Sequence, residues 1–141
     1  MNSDLALKIS FLIAVAGTVG GLFFSEVMKL PPCDLCWYQR IALYPLIIIF
    51  GVGIAKTGRD SFRYAIGLIL VGLALAIFHN LLYYGIIPES ISPCKQGASC
   101  TTKQIEWLGF ITIPLMSLTS FIILSGLAWF GLCKKGCQLE K

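Results

Sequence analysis

Six cysteines fall into three pairs: Cys33 with Cys36, Cys94 with Cys100, and Cys133 with Cys137. Paired cysteines can hold a structural disulfide, bind a metal, or form a dithiol that trades electrons by thiol–disulfide exchange. The C-x-x-C at Cys33 and Cys36 carries the most information. Pro31-Pro32 precede it and stop an earlier helix from running on, so a new helix is expected to begin near Asp34. Cys36 then sits at a helix N-terminus, where unpaired N–H groups and the helix dipole favour a thiolate. Arg40 follows at i+4, on the same helix face and about one turn deeper. A guanidinium inside an apolar helix is costly and marks a functional site, with the Cys36 thiolate or a reduced cofactor as its expected anionic neighbour. The plainer alternative for Arg40 is an interface anchor.

His79 is the only histidine and follows the apolar run Ala76-Ile77-Phe78, with Asn80 beside it. On a helix rising about 1.5 Å per residue from Tyr64 it lies roughly 22 Å along, at a depth comparable with Arg40. Its plainer reading is a helix–helix hydrogen bond. Cys94 and Cys100 enclose Lys95-Gln96-Gly97-Ala98-Ser99, small enough for a tight ring. Closing so short a loop adds only about 2 kcal/mol on the chain-entropy model, a weak staple. Exposure and strain suit that pair to exchange instead. Cys133 and Cys137 read as ordinary reduced thiols at a helix end, with palmitoylation or a metal site as alternatives.

The elements that must position these residues follow from composition. The chain has 141 residues, 57% hydrophobic and 13% charged, with a mean hydropathy of +0.82. Soluble domains are roughly 45–50% apolar and about 25% charged, and short chains hide the least surface. Disorder is excluded by the same numbers. The fold class is therefore an all-α integral membrane protein, a four-transmembrane-helix bundle in a single domain over residues 1–141. A span needs about 20 apolar residues. Four stretches qualify: 9–24, carried to about residue 28 and Leu30 with the help of a snorkelling Lys29, then 37–55, 64–87 and 107–132. Pro45 and Pro114 are placed inside spans, where neighbouring helices can satisfy the backbone. Gly17 and Gly21 form a G-x-x-x-G that permits close helix contact.

Four spans put both termini and the middle loop, residues 56–63, on one side. That side holds Lys8, Lys56, Arg59, Arg63, Lys134, Lys135 and Lys141, whereas the other holds only Lys29, Arg40, Lys95 and Lys103. The positive-inside rule makes the first side cytoplasmic. The pairs Cys33/Cys36 and Cys94/Cys100 are then extracytoplasmic, on two short loops, and Cys133/Cys137 cytoplasmic. A signal peptide cleaved after Ala14-Val15-Ala16 is a competing reading that leaves this sidedness unchanged. The net charge of +4 is too small and too dispersed to point to nucleic acid.

Four spans, a C-x-x-C with arginine four residues on, and a second cysteine pair on the same side together resemble the disulfide bond formation protein B (DsbB) family, in its compact BdbC-like branch. The segments Cys33-Asp34-Leu35-Cys36-Trp37-Tyr38-Gln39-Arg40 and Trp107-Leu108-Gly109-Phe110-Ile111-Thr112-Ile113-Pro114 carry the likeness. The resemblance implies a thiol:quinone oxidoreductase of the bacterial plasma membrane that reoxidises a DsbA-like thioredoxin-fold thiol oxidase. It implies that Cys94 meets the partner, Cys100 attacks Cys33, and Cys36 becomes the thiolate beside a membrane quinone, ubiquinone or menaquinone. Arg40 and His79 are implied at the quinone site. The loop between Cys94 and Cys100 is shorter than in longer-loop members, which leaves their order of attack open. A four-thiolate zinc site is opposed by the Arg40 charge. An inert tetraspan protein with two disulfides and a quinone-epoxide reductase are the other rivals.

Overall fold

The structure, a computed structural model, describes residues 2–56, 60–88, 91 and 112–136. Among these residues all regular structure is helical, and four helices are long and apolar enough to cross a membrane. Helix α1 covers Ser3–Leu22 and continues through a π-helical turn, Phe23–Val27; α2 covers Asp34–Ala55, α3 Ser61–Tyr83 and α4 Ile113–Gly136. Contacts run in a ring: α1 on α2, α2 on α3, α3 on α4, and α4 back on α1. Cys94, Cys100 and Cys137 lie outside the described residues, as do residues 107–111, which the sequence assigns to the fourth span.

The helix limits differ from expectation for local reasons. α1 starts at Ser3, because Ser3, Ala6, Leu7 and Ser10 pack inward with the core and the Ser10 hydroxyl donates to the Ala6 carbonyl. Lys29 does not extend this helix. It has φ of 50°, and the Leu30 N–H reaches back to the Phe24 carbonyl, which closes the helix end in the manner usually given to glycine. α3 opens at Ser61, three residues ahead of Tyr64, and ends at Tyr83, short of the expected residue 87. α4 begins at Ile113, so Pro114 occupies its first turn rather than an interior position. There the missing N–H has no helical acceptor to disappoint. Pro45 does lie within its helix.

The inward faces repeat at alternating three- and four-residue steps, as in α3 with Phe62, Ala65, Ile69, Gly72, Ala76 and His79, and in α4 with Pro114, Ser117, Phe121, Leu124 and Ala128. This spacing keeps one seam of each helix facing its neighbours. Small residues recur along it at Ala65, Gly72, Ala76, Ser117 and Ala128, which brings the helices close where lipid supplies no hydrophobic squeeze between them. Large apolar side chains such as Leu12, Ile48, Leu70 and Trp129 point outward and stay exposed. That inversion fits a lipid-facing surface and no soluble one.

One close approach yields a test. A Cβ at Gly72 would enter the ring of Phe121 on α4, whereas a Cβ at Gly67 on the same helix meets nothing within 4 Å. Overpacking costs about 1–3 kcal/mol, while removing a helix glycine gains up to about 1 kcal/mol. Thermal unfolding in detergent should therefore show a lowered midpoint for Gly72→Ala and an unchanged or raised one for Gly67→Ala.

Candidate functional site

The cysteine pair caps α2. Cys33 is the extended residue just ahead of the helix, and its carbonyl accepts the Trp37 N–H. Cys36 lies in the first turn, where backbone N–H groups lack helical acceptors. The two sulfurs are 2.7 Å apart, and both residues carry free thiols. Their surroundings differ. Cys33 is 5% exposed and packs with Leu35 and Leu82, while Cys36 is half-buried. The hydrogen bond to Cys36, reinforced by burial, raises the Cys33 thiol above its ordinary range against a smaller opposing pull from His79.

His79 faces Cys33. Its Nε2 lies 3.7 Å from the Cys33 sulfur, and its Nδ1 lies 3.3 Å from Gln39 Nε2. Gln39 Oε1 in turn accepts the Ser117 hydroxyl at 2.7 Å, a bond that crosses the ring of helices from α4 to α2. The Asn80 amide secures the register by donating to the Pro114 carbonyl at the start of α4. His79, only 2% exposed, therefore stands on the thiol side of the pair.

Arg40 turns the other way. Its Nη2 donates to the Gly21 carbonyl at 2.7 Å and to the Ser25 hydroxyl at 2.5 Å, and its guanidinium lies 5.4 Å from the centre of the Trp37 ring. Gly17 lets the two helices approach: a Cβ there would lie 3.0 Å from Leu43, tighter than ordinary contact, whereas one at Gly21 would stand at ordinary contact, 3.4 Å from Arg40 Nε. The G-x-x-x-G is thus a groove on α1 that receives side chains of α2. Between α1, α2 and α4 it leaves a cavity of about 180 Å³, with mostly apolar walls that include Phe24, Leu43, Met116 and Phe121. The polar groups on it are few: Cys36, Arg40, Gln39, Ser25, Ser117 and Ser120. His79 does not line it.

The sequence singles out Cys33, Cys36, Arg40 and His79, and the fold gathers all four at one end of the bundle. It does so on two sides of the sulfur pair, with His79 beside Cys33 and Arg40 on the cavity that Cys36 borders. Gln39 and Ser117 were missed. Both fall on the inward seams of their helices, Gln39 four residues after Leu35 and three before Ala42, and a polar residue on such a seam is the signal that could have found them.

Comparison with known proteins fits this arrangement. The family model for disulfide bond formation protein DsbB matches residues 3–131. The chain belongs to the DsbB family. It is 37% identical over 123 residues to disulfide bond formation protein C of Bacillus subtilis, covering 87% of this chain and 89% of that one. An SPbeta prophage-derived disulfide bond formation protein B from the same organism is 40% identical over 118 residues, 83% of this chain and 78% of the relative. A probable disulfide formation protein of Metapseudomonas resinovorans is 38% identical over 120 residues, 84% and 83% of the two chains. No solved structure matches. As a DsbB-family member with four membrane-length helices, the protein is a multi-pass membrane protein of disulfide bond formation, a thiol oxidoreductase by family.

Gln39 can be tested directly. Interhelical hydrogen bonds in membrane proteins couple by about 0.6 to 1.7 kcal/mol in double-mutant cycles. Gln39→Leu and Ser117→Ala should each destabilise, and the double variant should cost less than the two together by that amount, measured by denaturation in detergent. Additive costs would mean that the bond is not made.

Proposed function

We propose that this protein is a thiol:quinone oxidoreductase that reoxidises a DsbA-like, thioredoxin-fold thiol oxidase and so drives disulfide formation in exported proteins. The observation that carries the reading is the shared end of the bundle: a close dithiol whose second sulfur borders an apolar cavity with a guanidinium on its wall. The cavity suits a flat, mainly apolar ring with polar oxygens, because its walls are largely apolar and its polar groups are few. Bound there, a quinone supplies an acceptor for two electrons and two protons.

The chain's own residues divide the remaining work. Partner dithiol electrons enter at Cys94/Cys100 and reach Cys33/Cys36 by exchanges in which each disulfide broken is matched by one formed. Cys33 and Cys36 finish as thiols and must lose two electrons and two protons to become a disulfide again. Cys36 offers its sulfur to the cavity. Arg40 supplies a fixed positive charge that stabilises thiolate and developing oxygen charge without giving up a proton. His79 holds or releases a proton at Cys33 rather than at the cavity, with Gln39 fixing its ring. This differs from the quinone-side role that the resemblance implies for His79.

Sidedness follows from the same reading. The excess of basic residues at the termini and middle loop puts both termini in the cytoplasm of a bacterium and the four redox cysteines outside its plasma membrane. Ubiquinone and menaquinone both fit the chemistry.

Arg40 provides the test. A hydrogen bond to a charged group contributes about 1.5–3 kcal/mol, and each 1.36 kcal/mol is about tenfold in rate. Arg40→Ala should slow quinone reduction roughly 10- to 100-fold, whereas Arg40→Lys should be mildly impaired. Exchange between the partner and Cys94/Cys100 should hardly change, as read by single-turnover kinetics. Collapse of partner exchange with normal quinone reduction would make Arg40 a purely structural tie between α1 and α2.

A further inference from the structure

The dithiol and His79 form a donor set of their own. The Cys33 and Cys36 sulfurs and a His79 ring nitrogen all lie within 4.8 Å of one another. Around a tetrahedral zinc ion, with Zn–S near 2.3 Å and Zn–N near 2.0–2.1 Å, a sulfur and a nitrogen stand about 3.6 Å apart. The Cys33 sulfur and His79 Nε2 are 3.7 Å apart, already at that spacing. The two sulfurs, at 2.7 Å, need to separate by about 1 Å to reach the tetrahedral sulfur–sulfur edge. Cys36, half-buried beside the cavity, is the member with room to move.

The surrounding shell suits a ligand histidine. A metal on Nε2 leaves the proton on Nδ1, which then needs an acceptor. Gln39 stands at Nδ1, and turning its amide over presents Oε1 to His79 and the NH2 group to the Ser117 oxygen. Arg40 is the charge that opposes a cation here, but its guanidinium is engaged on the α1 side by the Gly21 carbonyl and the Ser25 hydroxyl. Two thiolates balance a divalent charge.

We propose that the reduced Cys33–Cys36 pair and His79 form a three-ligand site for a thiophilic d10 cation, Zn²⁺ being the common example. A fourth coordination position stays open. Binding forms two metal–sulfur bonds and one metal–nitrogen bond, and it releases the two thiol protons with no change of oxidation state. The bound ion holds both sulfurs, so they cannot close to a disulfide until it leaves. The site exists only in the reduced state, which makes metal excess a reversible stop on reoxidation of the pair.

Metal binding at this site requires neither quinone nor partner protein. Full-length protein carrying Cys94→Ser, Cys100→Ser, Cys133→Ser and Cys137→Ser is reduced, freed of reductant and titrated with Cd²⁺ under anaerobic conditions. The expected result is one ion per chain, seen as thiolate-to-cadmium charge-transfer absorption, with two protons released and displacement by Zn²⁺. The disulfide form should give no signal. Loss of an outer-shell partner typically weakens metal binding about 10- to 100-fold, so Gln39→Leu should weaken it by that factor and His79→Gln by more. His79→Gln keeps a polar side chain in the buried position, and a native-like thermal midpoint checks its fold. Equal affinity in the parent, Gln39→Leu and His79→Gln proteins would overturn the proposal, leaving a simple dithiol chelate. Absence of the charge-transfer band in the reduced parent would overturn it outright.

Discussion

A guanidinium cannot be left without partners among apolar helices, and meeting that demand for Arg40 organises one end of this bundle. A charge at such depth is tolerated only where backbone or side-chain acceptors are brought to it. The Gly21 carbonyl, the Ser25 hydroxyl and the Trp37 ring do so. The first two depend on features of α1: Gly17, which lets α2 come close, and a π-helical turn that carries Ser25; a left-handed Lys29 then ends the helix ahead of Pro31-Pro32. The chain is thereby turned into α2 with Cys33 and Cys36 at its mouth. The same arrangement leaves the cavity open between α1, α2 and α4.

A second polar line starts at His79, on the Cys33 side of the sulfur pair, and runs through Gln39 to Ser117 on the cavity wall. The two cysteines therefore share a contact but little else. Cys33 is enclosed and addressed by an imidazole, whereas Cys36 is open to an apolar space and under the influence of a fixed cation. A dithiol with two unlike members suits chemistry in which one sulfur exchanges with another protein thiol and the other meets a membrane-soluble acceptor. Metal chelation draws on the same geometry, because an imidazole placed to serve a thiol is also placed to complete a ligand set.

Much of this was legible in the sequence. The four helices follow from apolar runs that no soluble domain of this length could hide, and the start of α2 near Asp34 follows from Pro31-Pro32. Helix ends were less legible, because they are set by capping and packing: Ser3 and Ala6 join α1 through small inward contacts that hydropathy does not register, and Pro114 is welcome in a first turn that apolar residues around it disguise. Within the site, Cys33, Cys36, Arg40 and His79 stand out by type. Gln39 and Ser117 do not, since an amide or hydroxyl in a membrane helix gains meaning only from the seam it occupies. Nor could depth alone assign His79 to a side: the estimate that put it level with Arg40 holds no information about which neighbour it faces.

In the proposed reaction, electrons from a partner dithiol leave the protein through Cys36 to a quinone. Anaerobic mixing of the purified protein with a reduced thioredoxin-fold oxidase and a quinone, followed by quinone absorbance and thiol counting, tests it most directly. One quinone should be reduced for each partner dithiol oxidised, with quinone reduction abolished by Cys36→Ser. Dithiol oxidation without quinone loss, or quinone reduction that survives Cys36→Ser, would contradict it.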